Sequence, residues 1–467
     1  MSGEDAPARE RDRILAAAAA AGCRLVDLHF SDLTGGLKSV GLPSGQLRET
    51  LEYGHWFDGS ALEGSARLME SDLLLRPDLS TWALIPWSRV GGVPTARVIC
   101  DVVTPAGEPF PVDPRAILTR ATRDADDAGW QYLAAAELEF FLFRAPYGEQ
   151  VAPPGVASAA DEGGYFDLGP AGAGGRVRDE MVRALVALGI AVEASHHEIA
   201  PGQHEIDLAP MPALAAADAL ATCKFVVKTI ARQRGLRATF MPKPRAESAG
   251  SGLHLSQALV DAHGRNVLAD DADEHGLSAL GRHFVAGQLG HARAMCAVLA
   301  PSVNSYRRLG RGFDAPSAVV WSHTNPRAVV RVPRTSPLAH RRASGGQTHA
   351  RSERWMRPEL RCADPSCNPY LALAVALAAG LDGIRTQAPL PPPVEAAVDA
   401  TIADETQVEA LPASLGEAVS ELEWDPVVRG ALGEPAFERW VMAKEREWQE
   451  YRRQVSAWEL ARYFDSA

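Results

Sequence analysis

Apolar and polar positions follow two different rhythms along the chain. From Arg24 they alternate, Leu25-Val26-Asp27-Leu28-His29-Phe30, as in a half-buried strand. Thr34-Gly35-Gly36 supplies a turn, and residues 37–42 repeat the strand pattern. Short strands and turns continue to Val103, predicting a small, sheet-rich N-terminal domain. A helix precedes it: Ile14, Leu15 and the alanine run 16–21, stopped by Gly22. Pro105, Pro109, Pro111 and Pro114 then cluster and place a boundary that divides the chain into residues 1–107 and 108–467.

Beyond the prolines the elements lengthen. Residues 115–128 read as helix and 132–143 as a strand carrying Glu137 and Glu139. Residues 144–178, rich in Gly, Pro and Ala, read as loop, and 179–188 as a helix stopped by Gly189. Pro212 opens a long helix over 213–234, residues 274–299 are mostly helical, and 321–332 is strand-like and carries Arg331. The basic, polar segment 334–356 reads as a long loop or lid. Asn368 and Pro369 are a helix cap and first-turn proline for an apolar helix over 370–379, ending near Gly380. Phe437, Trp440, Val441, Lys444, Trp448 and Tyr451 fall at helical spacing and read as packing. Ser456-x-x-Glu459 is a capping box for a last short helix.

Composition narrows the class. At 467 residues the chain exceeds a single core, and two domains or more are expected. A formal charge of −12 argues against nucleic acid and anionic membranes as partners. The six cysteines are scattered with no Cys-x-x-Cys pair, which points to reduced thiols and a cytoplasmic protein. The alanine run is too short and too mildly apolar for a signal or a membrane span.

The candidate chemistry lies in the carboxylates. In 196–207, His-His-Glu-Ile-Ala-Pro-Gly-Gln-His-Glu-Ile-Asp, Glu198 and Glu205 flank a Pro-Gly turn. Beyond the turn Glu205 and Asp207 share one strand face. Carboxylates turned into a fold need a cation or hydrogen bonds, so the stretch suggests a hard-metal site. Taken alone, it is equally well a hairpin with a solvated acidic face. Glu137 and Glu139 also share a strand face, ahead of Phe140-Phe141-Leu142-Phe143, which favours a buried functional cluster. Gly250-Ser251-Gly252-Leu253-His254 adds a small-residue loop whose backbone can approach a ligand, and a histidine after it.

These motifs, with Phe57-Asp58-Gly59-Ser60, Asn304 to Leu309 and Asp364-Pro365-Ser366-Cys367-Asn368-Pro369-Tyr370, resemble type I glutamine synthetase over almost the whole length. The resemblance implies an α+β chain: an N-terminal β-grasp domain and a catalytic domain whose curved antiparallel sheet forms a funnel. It implies two divalent ions, Mg²⁺ or Mn²⁺, per active site. Glu139, Glu198 and Glu205 would hold one, and Glu137, His254 and Glu359 the other. ATP would be the co-substrate, contacted by Arg331 and Arg357. Arg308 and Arg361, with Gly250 beside them, would hold glutamate. Asp58, from an adjacent chain, would help to bind and deprotonate the amine. The assembly implied is two hexameric rings. The chemistry implied is phosphorylation of the glutamate side chain by ATP and displacement of the phosphate by an amine.

The departures from that family gather at the substrate end. A glutamate that closes the ammonium site stands here as Asp314, one methylene shorter. Ala249 and Ala61 replace an asparagine and a serine, Ser256 and Ala258 a histidine and a serine, and Asn-Arg-Ser becomes Asn325-Pro326-Arg327. All six metal-type ligands remain. The expectation is therefore a glutamate–amine ligase whose amine is larger than ammonia. Ordinary glutamine synthesis, and a non-catalytic protein that binds glutamate or an amine, are the alternatives.

Overall fold

The computed structural model describes residues 5–61, 72–90, 92–144, 158–168, 173–270, 272–309, 315–334, 358–395 and 408–466. Six strands, β1 (Leu25–Ser31), β2 (Leu37–Pro43), β3 (His55–Asp58), β4 (Asp72–Pro77), β5 (Ala83–Val90) and β6 (Val93–Val103), form the N-terminal sheet in the order β2-β1-β6-β4-β3, with β5 against β6. β1 runs parallel to β6, and the other pairs are antiparallel. The helix Asp5–Ala20 closes one face through Ile14 and Ala18, and Gly22 ends it with φ near +65°.

The second sheet holds the site. Its strands are β7 (Gln131–Arg144), β8 (Val192–His197), β9 (Gln203–Pro212), β10 (Leu236–Thr239), β11 (Leu253–Val260), β12 (Ala318–Ser322), β13 (Ala328–Arg331) and β14 (Glu359–Leu360). They lie in the order β12-β13-β14-β11-β7-β9-β8, with β10 also on β7. The antiparallel sheet expected from the sequence is interrupted at one edge, where β12 and β13 pair in parallel. The single strand expected over 321–332 is thus two. Ser322 Oγ accepts from the N–H groups of Thr324 and Asn325, and Pro326 has no N–H to offer a ladder, so the chain turns between them. The helix expected from Asp179 begins earlier, at Ala173.

The apolar helix Pro369–Thr386 passes through Gly380, where the sequence suggested an end. Its glycines serve packing. A Cβ on Gly380 would lie 2.2 Å from the ring of Phe284, and one on Gly383 2.2 Å from the His283 carbonyl oxygen. The helix Ala279–Gly290 therefore approaches backbone to backbone, and the left-handed terminator is Gln387.

Two polar ties hold the halves together. Asn368 caps its helix by accepting from Tyr370 N–H and donates to the carbonyls of Asp32 and Leu33. Arg115, 4% exposed, forks onto Asp218 of the helix Ala213–Gln233 and also reaches Asp78 and Asp101 of the N-terminal domain.

A polar cluster within the second half titrates. His291 lies with Nδ1 2.7 Å from Asp425 and Nε2 3.3 Å from Asp382. Burial disfavours its charge, but the two carboxylates outweigh it and raise its pKa above the usual 6.5. The ring therefore binds its proton more tightly in the folded state than in the unfolded one. Its stabilisation is complete below the unfolded pKa and fades as pH rises through the folded one. His291→Gln should therefore cost about 1–2 kcal/mol at about pH 5.5 and much less at about pH 9, read by urea denaturation.

Candidate active site

The register of the second sheet assembles the site. On β7, Glu137 and Glu139 point to one face while Leu138, fully buried, points to the other. β11 sets His254 opposite Glu137, and β14 sets Glu359 opposite Ser256. His254 Nδ1 is thereby 3.1 Å from Glu137 Oε2 and 3.5 Å from Glu359 Oε1. On the other flank, β9 sets Glu205 opposite Glu139. Glu198 follows β8, and its N–H donates to the Gln203 carbonyl across the hairpin.

These six side chains line one cleft of about 360 Å³, together with Gly250, Arg308, Arg331 and Arg361. Glu137, His254 and Glu359 offer ligand atoms within 4.8 Å of one another. On the other flank the set that meets that distance is His196, Glu205 and Asp207, while Glu139 and Glu198 line the cleft beside it. Asp58 stands apart. It is exposed at the end of β3, accepts from Ser60 N–H at 2.9 Å, and is not among the described residues that line the cleft. Asp314 and Arg357 lie outside the described residues.

The charge is unevenly balanced. Burial opposes the ionisation of Glu137, but His254, Arg361 and Arg331 outweigh it and hold its pKa below the usual range. Glu359 lies 3.1 Å from Arg331 and 3.2 Å from Arg361. Among the described residues, the ion-pair partner that Glu198 and Glu205 share is His196, with no arginine or lysine in contact. Burial and then Glu139 push Glu198 up to about 7, and burial, Glu139 and Asp207 push Glu205 up to about 12. Carboxylates crowded to that degree match the oxygen-rich donor set of a hard dication, whose charge relieves their repulsion. A divalent metal therefore fits the residues present.

The Arg308 side of the cleft is held by backbone contacts. Arg308, 5% exposed, donates to the carbonyls of Ala363 and Arg361 at 3.0 and 3.1 Å. Asn304 ties its helical turn to the 240–250 loop, accepting from Lys243 N–H at 2.7 Å and donating back to the Lys243 carbonyl. A Cβ on Gly252 would stand 2.6 Å from Arg308 Nη2, 3.0 Å from Glu139 Oε1 and 3.1 Å from His254 Nε2. Only glycine lets the three functional groups converge there.

Several residues had no role assigned from the sequence. Gln203 donates through Nε2 to Glu139 Oε2 at 2.7 Å and to the Gly250 carbonyl at 3.0 Å, joining hairpin, β7 and glycine loop. Its place in the Pro-Gly turn was the available signal. His196 lies 3.4 Å from Glu198 and 3.5 Å from Glu205. Tyr165 and Ile199, both about half exposed, line the cleft, as do the small, buried side chains of Ala249 and Ala315. Of the residues that depart from the family pattern, Ala249 and Pro326 line the cleft. Asn325, where the pattern is kept, turns inward and donates to the Val394 carbonyl.

Two carboxylate clusters in one cleft are a donor set suited to metal-supported chemistry. Residues 22–105 match the family described as glutamine synthetase, beta-Grasp domain, and 111–463 the glutamine synthetase catalytic domain. The chain belongs to the glutamine synthetase family, and is an ATP-dependent ligase of that family. It is 42% identical over 449 residues to the glutamine synthetase of Halobacterium salinarum, covering 96% of this chain and 94% of that one. It is 43% identical to that of Thermus thermophilus, covering 94% and 95%. Among solved structures, one titled a GmaS/ADP complex superposes with a TM-score of 0.83 at 31% identity, covering 97% of this chain and 99% of that one. Another, titled a novel glutamine synthase homolog, superposes at 0.78 with 28% identity, covering 95% and 98%. No helix among the described residues is long and apolar enough to cross a membrane.

Proposed function

We propose that the protein joins the side-chain carboxylate of glutamate to a primary amine larger than ammonia, at the expense of ATP. The observation that carries the reading is the apolar share of the cleft lining. Tyr165, Ile199, Ala249 and Ala315 contribute apolar surface that an alkyl group would use and an ammonium ion would not.

Arg308 and Arg361 hold the acid substrate by its α-carboxylate, with the Gly250 backbone beside it. Arg331 and Arg357 would contact the nucleotide phosphates. The glutamate side-chain oxygen attacks the γ-phosphorus of ATP, ADP leaves, and an acyl phosphate forms. The amine nitrogen then attacks the acyl carbon, inorganic phosphate leaves, and the amine proton passes to a carboxylate. Asp314 is assigned as that base, with Asp58 of an adjacent chain in a ring assembly helping to bind the amine. Glu139, Glu198 and Glu205 would hold one Mg²⁺ or Mn²⁺ and Glu137, His254 and Glu359 the second, supplying charge neutralisation at the phosphoryl oxygens.

Glutamine synthesis from ammonia is the second reading, favoured by the 42–43% identity to proteins of that name. Phosphate release from ATP and glutamate, measured across ammonia, alkylamines, amino alcohols and diamines, separates them. At least one organic amine should exceed ammonia in kcat/KM by about 10-fold or more, the scale of one methylene in an apolar pocket. Ammonia outperforming every organic amine would leave glutamine synthesis. No phosphate release with any amine would overturn both readings.

A further inference from the structure

Behind the hairpin that carries Glu198 and Glu205 lies a buried polar cluster that takes no part in the chemistry above. Asp161 is its centre. Its Oδ1 is 2.7 Å from His197 Nε2 and accepts from Gly202 N–H at 3.0 Å, and its Oδ2 is 3.2 Å from His204 Nε2. The three contacts reach both arms of the hairpin and its turn. His197 directly precedes Glu198, Gly202 is in the turn, and His204 directly precedes Glu205.

The protons are assigned by the neighbours. Arg178 Nη1 lies 3.0 Å from His204 Nδ1. A guanidinium can only donate, so Nδ1 accepts and the His204 proton sits on Nε2, toward Asp161. His197 Nδ1 is 2.6 Å from the Glu198 carbonyl oxygen and must donate to it. Asp161 thus acts on the backbone of Glu198 through one ring and on the strand residue before Glu205 through the other.

The surroundings are shaped to admit this cluster. A Cβ on Gly163 would lie 2.8 Å from His197 Nε2, and one on Gly174 2.0 Å from Asp161 Oδ2 and 2.6 Å from His204 Nε2. Gly174 is in the first turn of the 15-residue helix Ala173–Ala187, whose N-terminus favours a carboxylate. The segment bearing Asp161 is itself stitched to β7: Ala160 N–H donates to the Leu142 carbonyl and Arg144 N–H to that of Ser158. Asp161 therefore ties the hairpin to the strand that carries Glu137 and Glu139.

We infer that Asp161 is a positioning residue, holding the hairpin so that Glu198 and Glu205 face the same point of the cleft. The inference rests on the two-ion reading above and assigns a role that affects one ion and spares the other. The test is Mn²⁺ binding to the full chain, followed by electron paramagnetic resonance, in wild type and in Asp161→Ala, Asp161→Asn and Gly163→Ala. The last presses first on the His197 ring, whose atoms are the nearest to the added Cβ, and leaves the carboxyl group chemically unchanged. Circular dichroism identifies the variants that are folded.

The expected result is two ions in wild type. Folded variants should lose about 10- to 100-fold in affinity at one site, with an altered spectrum there and an unchanged second site. Turnover lost by Asp161→Asn should return as Mn²⁺ is raised. Folded variants with both affinities at wild-type values would overturn the inference and leave the two-ion reading standing. Equal loss at both sites would overturn it too, as would a third ion in wild type that disappears with Asp161. Wild type binding no Mn²⁺ would overturn the two-ion reading, and the inference with it.

Discussion

Glu359→Gln is expected to lower ATP-dependent phosphate release by at least about 10²-fold while leaving the fold intact. The substitution keeps the shape of the side chain and removes its charge. Glu359 is nearly fully buried where β14 meets β11, 3.5 Å from His254 and within 3.2 Å of both Arg331 and Arg361. It neutralises two arginines and, with Glu137 and His254, completes one metal-type set. The amide leaves those arginines facing His254 with one carboxylate fewer, and weakens the donor set for a hard cation. Steady-state kinetics over a range of Mg²⁺ should show kcat reduced even at saturating metal. Activity within about threefold of wild type would mean that Glu359 only balances charge.

The largest loss of stability is expected from Arg115→Met, about 3–5 kcal/mol. Arg115 makes two hydrogen bonds of 3.1 Å to Asp218 and also pairs with Asp78 and Asp101. Asp218 in turn accepts from the Tyr370 hydroxyl at 2.7 Å. Methionine fills similar space but leaves three acidic groups from two domains facing one another without their shared cation. Arg115→Lys should recover only part of the loss, because one ammonium cannot reproduce the fork onto Asp218. Guanidinium chloride unfolding, followed by tryptophan fluorescence, measures both. A methionine variant within about 1 kcal/mol of wild type would show that the cluster contributes little beyond its own desolvation.

What the sequence made legible follows from periodicity. Glu137 and Glu139 are two apart in an apolar run and so share a face, and Glu198 and Glu205 flank a Pro-Gly turn and so return to the same place. Those four, with a histidine after a glycine loop, are brought into one cleft by strand register. Asp161 and Gln203 were not legible in this way. Asp161 lies in a Gly-, Pro- and Ala-rich segment with no periodic signal, and its importance comes from contacts more than 35 residues away in sequence. Gln203 is a polar residue in a turn until Glu139 and Gly250 come within reach. Gly380 misled for a physical reason: a glycine that lets two helices touch looks in sequence like one that ends a helix. The glycine at 252 is a third case, left bare so that an arginine, a glutamate and a histidine can meet.

Equilibrium binding of Mn²⁺ to the intact chain tests most directly whether the cleft holds two dications on two separable sets of side chains. Wild type should take up two ions per chain, Glu359→Gln and Glu205→Gln one each at the same free concentration, and the double variant none. A wild type that binds no ion, or a double variant that still binds two, would contradict it.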